Sequence, residues 1–106
     1  MTTDLYNIIK SKKGQIVYND LNYIDFSKNV KNQIDELKED LLQVQFPNDI
    51  ILDIGWYPSF DQNGSFRICL IKELDWSNPI DFVKCKNMTE LKNNIIKMIK
   101  TIGNVR

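Results

Sequence analysis

Two possible carboxylate pairs in the middle of the chain are the residues whose types could do chemistry. Asp53 with Asp75, or Asp61 with Glu73, could supply the general acid and base of a hydrolase or hold a metal ion. Against this interpretation, a chain of 106 residues offers little room for a deep substrate cleft. Asp61 also lies in a predicted turn, where Asp is common for local reasons. We therefore expect a protein that is not an enzyme.

The chain contains no histidine, which excludes several kinds of catalytic and metal site. A Ser-His-Asp triad, a Cys-His dyad and any metal site with a histidine ligand are ruled out. Cys69 and Cys85 are too few and too far apart for a zinc site, so we expect two buried, inert thiols, each in a strand. Gly55 and Gly64 form no phosphate-binding loop; a bulge or close packing explains the first, and turn geometry the second. No metal and no cofactor is expected.

The formal net charge of zero conceals a segregation of charge along the chain. Residues 35–81 carry ten acids and three bases, a net charge of −7, whereas the flanking residues carry four acids and eleven bases, a net charge of +7. The ten acids are Asp35, Glu36, Glu39, Asp40, Asp49, Asp53, Asp61, Glu73, Asp75 and Asp81. One interpretation is that solvated faces cluster by chance. The other is an acidic surface that attracts a basic partner and repels the phosphates of nucleic acid.

Aromatic residues are concentrated in the same acidic segment, at Trp56, Tyr57, Phe60, Phe66 and Trp76. At least two of the five should belong to the core, with Phe66 the strongest candidate. Tyr57, Phe60 or Trp76 could instead form a protein-binding hot spot beside the acids, because Tyr and Trp are typical anchors of such sites. Stacking of single-stranded nucleic acid is a further alternative, but it normally needs interleaved bases, and only two lie nearby.

Three helices are predicted from capping residues and apolar periodicity. The first covers residues 4–12 with Thr3 as its cap, and a short strand follows at residues 15–18. The second covers residues 28–45, because apolar side chains recur at helical intervals, and Pro47 ends it. The last begins after Asn87, which forms a variant of the capping box with Glu90. The apolar stripe of the second helix is Val30, Ile34, Leu37, Leu41 and Val44; that of the last is Met88, Leu91, Ile95, Met98, Ile99 and Ile102.

From residue 50 the apolar period changes to two, which indicates strands at residues 50–57, 65–72 and 80–86. Asn63-Gly64 lies between the first two and suits a turn that needs a positive φ. In the first strand, Ile50, Leu52, Ile54 and Trp56 share one face. The sequence therefore predicts one α+β domain over residues 1–106: an antiparallel β-meander of three or four strands packed against two to three helices, in the order α-(β)-α-β-β-β-α.

Several pieces of the acidic segment carry a resemblance to a known family. These pieces are DIGWYP at residues 53–58, DQNG at 61–64, FRICLIK at 66–72 and DWSNP at 75–79, and the acidic stretch DELKEDLLQVQFP at 35–47 precedes them. Together they resemble the core of a family of small bacterial immunity proteins, over about half of the chain. Such proteins accompany contact-dependent growth inhibition and related polymorphic toxin systems.

The resemblance implies a non-enzymatic inhibitor. Such a protein binds the C-terminal toxin domain delivered by a neighbouring cell and covers its active site, and these toxins are often nucleases with basic clefts. The implied partner is a cognate, basic toxin domain bound one to one by a monomer, with no nucleic acid and no membrane as partner. Charge and exposure select the candidate contacts: Asp53, Tyr57, Asp61, Glu73, Asp75 and Trp76 on the sheet and its loops, and Asp35, Glu36, Glu39 and Asp40 on the predicted helix.

A cytosolic location is expected, because the chain has no apolar run of membrane-spanning length and its N-terminus lacks the features of a signal peptide. Two other functions stay open at this point. One is an adaptor or regulatory module with an unrelated partner, which gene neighbourhood would separate from immunity. The other is a small carboxylate-dependent enzyme, whose turnover an Asp53→Asn or Asp75→Asn change would abolish.

Overall fold

One five-stranded antiparallel sheet dominates the computed structural model, which describes residues 1–104. Its strands are β1 (Gln15–Asn19), β2 (Leu42–Phe46), β3 (Ile50–Tyr57), β4 (Ser65–Lys72) and β5 (Asp81–Cys85), in that spatial order. The described residues also form helices α1 (Thr3–Ser11) and α2 (Met88–Lys100) and 3-10 segments at Asp20–Tyr23, Val30–Glu36 and Ile102–Asn104. The α+β class is confirmed. The strand count is five rather than three or four, and the order along the chain differs in its middle part.

Both α-helices pack on one face of the sheet, where their apolar stripes join a single core cluster with Leu52, Ile54 and Ile68. The buried stripe of α2 contains five of the six predicted residues, because Ile102 lies in the 3-10 segment beyond the helix, and Asn87 caps α2 by accepting a hydrogen bond from the Glu90 N–H at 2.8 Å. The predicted cap of α1 is wrong, because Thr3 is already the first helical residue and Thr2 precedes it. Among the residues described, no helix is long and apolar enough to cross a lipid bilayer.

The predicted helix over residues 28–45 is wrong. The chain forms only the 3-10 segment Val30–Glu36, and Leu42–Phe46 become strand β2. The reason is tertiary: β3 is buried on both faces and needs a hydrogen-bonded partner on each side, which β2 and β4 supply. The residues of β2 alternate between buried and more exposed side chains, which is a strand pattern hidden inside the helical one.

Gly55 makes room for residues 38–41, which lead into β2 and pair irregularly with β3. Leu41 N–H donates to the Ile54 carbonyl at 3.0 Å and Trp56 N–H donates to the Lys38 carbonyl at 2.8 Å, so the chain bulges at Glu39 and Asp40 between these two contacts. A Cβ on Gly55 would lie 1.9 Å from the Glu39 carbonyl oxygen. A side chain at this position is therefore incompatible with the bulge, as the close-packing interpretation of Gly55 predicted.

The face of the sheet opposite the α-helices carries the polar and charged residues of the strands. Strand register places Gln43, Asp53, Cys69 and Phe82 in one row across this open face, and Gly55, Arg67 and Lys84 in the next. A third row contains Ile51 and Ile71, which are buried although they lie outside the main core cluster. Most of the candidate site residues lie on this face or on the loops at its two ends.

Two smaller predictions need correction. Gly64 does not adopt a positive φ; it is required because a Cβ there would lie 2.7 Å from both the Trp56 indole Nε1 and the Tyr57 carbonyl oxygen. Cys85 is buried and Cys69 only half-buried, although both thiols are free and both lie in strands as expected. Burial raises the pKa of Cys85 to about 11 and also raises that of Cys69, so both thiols stay protonated at neutral pH.

Candidate functional site

A tyrosine hydroxyl lies between two of the predicted site residues on the open face. The Tyr18 hydroxyl is 3.4 Å from the Asp40 Oδ1 and 3.5 Å from the Asp53 Oδ1, and it can donate its one proton to only one of them at a time. Burial raises the pKa of Asp53, and the charge of Asp40 raises it further, while hydrogen bonds from Gln43 and Tyr18 oppose the shift. Burial and the same two carboxylates raise the pKa of Tyr18.

Tyr57 extends this group of residues towards the end of β3. Burial raises the pKa of Tyr57, and the charges of Asp53, Asp40 and Glu39 raise it further. The Arg67 guanidinium lies over the Tyr57 ring, 4.7 Å from the centroid, and its charge partly offsets the shift. The negative charge of these acids is therefore only partly neutralised by Arg67.

The β3–β4 connection brings further candidates to the same end. Phe60 N–H donates to the Leu37 carbonyl at 2.6 Å, and the Trp56 indole donates to the Asp61 carbonyl at 2.8 Å. Phe60 has a φ of 62° and is 57% exposed, both unusual for a large apolar residue. Because Leu37 directly follows the 3-10 segment Val30–Glu36, the exposed side chains of Asp35 and Glu36 also belong here.

We call this region the acidic end. Its residues are Asp35, Glu36, Glu39, Asp40, Asp53, Tyr57, Phe60 and Asp61. It thus contains six of the ten acids counted between residues 35 and 81, and seven of the ten candidate contacts predicted from the sequence. Lys38, which lies in the same segment, forms a salt bridge with Asp20 that raises its pKa, and the charge of Glu36 raises that pKa further, so Lys38 compensates these acids only in part.

The other three predicted contacts lie elsewhere. Glu73, Asp75 and Trp76 belong to the β4–β5 loop, where Glu73 N–H donates to the Asp49 carbonyl at 2.9 Å beside the β2–β3 turn. Since β3 is eight residues long, this loop lies about 20 Å from Tyr57 and the β3–β4 connection, although Asp53, in the middle of β3, is closer to it. The structure therefore divides the candidate contacts between two surfaces.

The same geometry corrects the predicted carboxylate pairs. Asp61 and Glu73 lie at opposite ends of the β3–β4 hairpin, and Asp53 pairs with Cys69 in mid-strand while Asp75 lies beyond the end of β4. The two carboxylates of each pair are therefore too far apart to act together on a single substrate bond. Within residues 1–104, no group of three or more Cys, Asp or Glu side chains is arranged to hold a metal ion.

Comparison with known proteins assigns no family. No protein-family model, no curated protein and no solved structure matches this chain.

Some residues of these surfaces were not singled out by the sequence. The sequence predicts Tyr18 in a strand but assigns it no functional role, and nothing in its neighbouring residues indicates that its side chain contacts Asp40 and Asp53. Leu74, Ile80 and Phe82 are exposed apolar residues around the β4–β5 loop. For Phe82 a signal existed, because it alternates with the more buried Val83 and so had to point away from the core.

Proposed function

We propose that this protein is a cytoplasmic immunity protein that binds a cognate toxin domain through its acidic end and thereby neutralises it. The supporting observation is that six acids lie on or beside one end of the sheet, where the charge of Asp40 adds to burial in raising the pKa of Asp53. Like charges held close together destabilise the free protein, and a basic partner would relieve that repulsion. The resemblance in sequence to immunity proteins of contact-dependent growth inhibition supports the same function.

The proposed partner is a toxin domain with a basic cleft, such as a nuclease. Its lysines or arginines would pair with Glu39, Asp40 and Asp53, while Tyr57 and Phe60 supply the aromatic area that anchors many interfaces. Neutralisation would be stoichiometric, one monomer to one toxin domain, because a bound inhibitor of this kind needs only to cover the substrate-binding cleft. No turnover, metal or nucleic acid is involved.

The first test is co-expression with the product of each adjacent reading frame. We expect one of these products to be toxic alone, to be harmless with this protein and to co-purify with it in a one-to-one ratio. If every adjacent product can be expressed alone without harm and none co-purifies, the proposal fails.

The second test locates the interface. Glu39→Lys combined with Asp40→Lys should release the toxin and abolish protection, because truncating or reversing a desolvated charge pair costs about 2–5 kcal/mol or more. Lys97→Glu combined with Lys100→Glu reverses the same number of charges on the exposed side of α2 and should leave protection intact. Equal protection by both double variants would show that the acidic end does not bind the toxin.

A further inference from the structure

The β4–β5 loop presents an apolar surface that the acidic end does not explain. Its members, which we call the apolar loop, are Leu74, Trp76, Ile80 and Phe82, with exposed fractions of 69%, 49%, 42% and 46%. At about 200 Å² for a large side chain, they expose roughly 400 Å², an area typical of the largest apolar patch on a monomer, which is often functional. Leu74 and Ile51 line the same hollow of about 460 Å³, so the surface continues onto the open face of the sheet.

The backbone conformation of the loop is costly for the residues that occupy it. Glu73 and Leu74 have φ values of 56° and 59°, and Asp75 N–H closes the turn on the Lys72 carbonyl at 3.1 Å. Such turns favour Asn and Gly, and the β2–β3 turn of this chain follows that rule by placing Asn48 and Asp49 at φ values of 68° and 59°. Leu74, by contrast, is a large apolar residue that occupies such a position while pointing into solvent, as Phe60 does at the acidic end.

The loop is held in this conformation by its own hydrogen bonds. Trp76 N–H donates to the Leu74 carbonyl at 3.0 Å, and the Asn78 side-chain amide donates to both oxygens of the Asp75 carboxylate, at 3.5 and 3.3 Å. Ile80 N–H donates to the Leu70 carbonyl at 2.7 Å and so closes the loop on β4. An exposed leucine held in an unfavourable conformation by an ordered loop is typical of a binding residue rather than a structural one.

The charges around the apolar loop identify the kind of occupant. Glu73, Asp75 and Asp81 are exposed among the four apolar side chains, while the nearest base, Lys72, shares a hollow with Asp49 and Glu73. A second copy of this chain would bring the same three acids against one another, and an anionic membrane would repel them. A segment of another protein that carries apolar side chains between lysines or arginines fits both the charge and the apolar area.

We propose that the apolar loop is a second protein-docking surface, which binds an amphipathic, basic segment of a partner. Leu74 and Trp76 are its anchors, and Glu73, Asp75 and Asp81 pair with the flanking bases of that segment. The inference goes beyond the proposed immunity function, because Leu74 and Trp76 lie at the opposite end of β3 from Tyr57 and Phe60 and the test needs no toxin.

The test is selection of a displayed library of random peptides against the purified protein. We expect enriched peptides in which Leu, Ile, Phe or Trp alternate with Lys or Arg, and we expect them to shift the backbone amide NMR signals of residues 73–82. Leu74→Gly and Trp76→Ala should each weaken the binding of a selected peptide by about tenfold or more. Tyr23→Ala, which removes a side chain that is 68% exposed elsewhere, should not change the binding.

Leu74→Gly also separates a binding role from a structural one. Because glycine adopts a positive φ without strain, the thermal midpoint of this variant should equal or exceed that of the unmodified protein. A lowered midpoint would assign Leu74 to the fold and overturn its role as an anchor. The proposal is equally overturned if no basic apolar peptide is enriched, if the peptides bind at the acidic end, if the protein binds lipid vesicles through this loop, or if it forms a dimer that Leu74→Gly dissociates.

Discussion

Asp53 is the residue whose effects on the stability of the free protein and on toxin binding oppose each other most clearly. Burial and the charge of Asp40 raise its pKa, so the folded protein holds a proton on this carboxyl more strongly than the unfolded chain does. Between the two pKa values the folded state binds more protons, and stability therefore falls as the pH rises through that interval. Above it, at neutral pH, the full cost of the charged carboxylate is present.

Asp53→Asn should therefore stabilise the free protein at neutral pH and weaken toxin binding. We expect a thermal midpoint a few degrees higher at pH 7, with a smaller gain as the pH is lowered towards the ordinary pKa of aspartate. Thermal unfolding at several pH values checks the first part, and the dissociation rate of the toxin complex checks the second. A destabilised variant at neutral pH would show that the Tyr18 contact outweighs the cost of the charge.

Phe60, at the acidic end, is a second residue whose effects on stability and on toxin binding oppose each other. A non-glycine residue with a positive φ costs about 1–2 kcal/mol, and glycine recovers that strain at an entropic cost of about 0.5–1 kcal/mol. Phe60→Gly should leave the free energy of unfolding unchanged or raise it by up to about 1 kcal/mol, since the phenyl ring is already 57% exposed. Toxin binding should weaken by about tenfold or more. Denaturant unfolding and titration of the toxin measure the two effects, and a clear loss of stability would show that Phe60 serves the fold.

At the scale of elements, Gly55 determines whether Glu39 and Asp40 can lie over the open face. Gly55→Ala would place a methyl group 1.9 Å from the Glu39 carbonyl oxygen and 2.7 Å from its carbonyl carbon, both parts of the backbone that cannot rotate away. We expect a loss of about 3 kcal/mol or more in the free energy of unfolding, because the bulge and its pairing with β3 must shift together.

Gly103→Ala is the matched control for this change. The nearest atom to a Cβ there is the Lys12 Nζ at 2.7 Å, at the far end of a flexible side chain, so the free energy of unfolding should change by less than about 1 kcal/mol. Chemical denaturation of both variants measures the difference. Similar stabilities would mean that residues 38–41 can move away from β3 without cost.

The elements differ in how far local sequence could predict them. α2 was predicted with its cap and its buried stripe, because capping and helical period act within one segment. Residues 28–45 were mispredicted because their apolar spacing suits a helix, whereas the observed strand depends on the hydrogen-bonding needs of β3, which are remote in sequence. The same limit applies to the acidic end. Its acids can be recognised by residue type, but the bulge that brings Asp40 to Tyr18 and Asp53 depends on tertiary pairing, which local sequence does not reveal.

At the scale of the whole molecule, the ten acids of residues 35–81 are divided between the two ends of the sheet, and most of them lie at the acidic end. Six of the acids collect at the acidic end, while Lys12, Lys13 and Lys72 share a hollow of about 730 Å³ at the opposite end of the sheet with Asp49 and Glu73. The two ends are about 20 Å or more apart, which exceeds the Debye length of about 8 Å at physiological ionic strength. A partner that approaches the acidic end therefore experiences a local negative field, although the formal net charge of the chain is zero.

This arrangement predicts that the toxin associates with the acidic end under electrostatic steering. The association rate constant, measured by stopped-flow mixing with the purified toxin domain, should fall by about tenfold between low and physiological salt, while the dissociation rate changes little. Glu36→Gln combined with Asp61→Asn should slow association and flatten its salt dependence, because both acids are exposed and make no salt bridge within residues 1–104. Glu90→Gln combined with Asp4→Asn removes the same charge from the helical layer and should leave the rate unchanged. Equal slowing by both double variants would mean that the net charge, rather than the acidic end, guides the encounter.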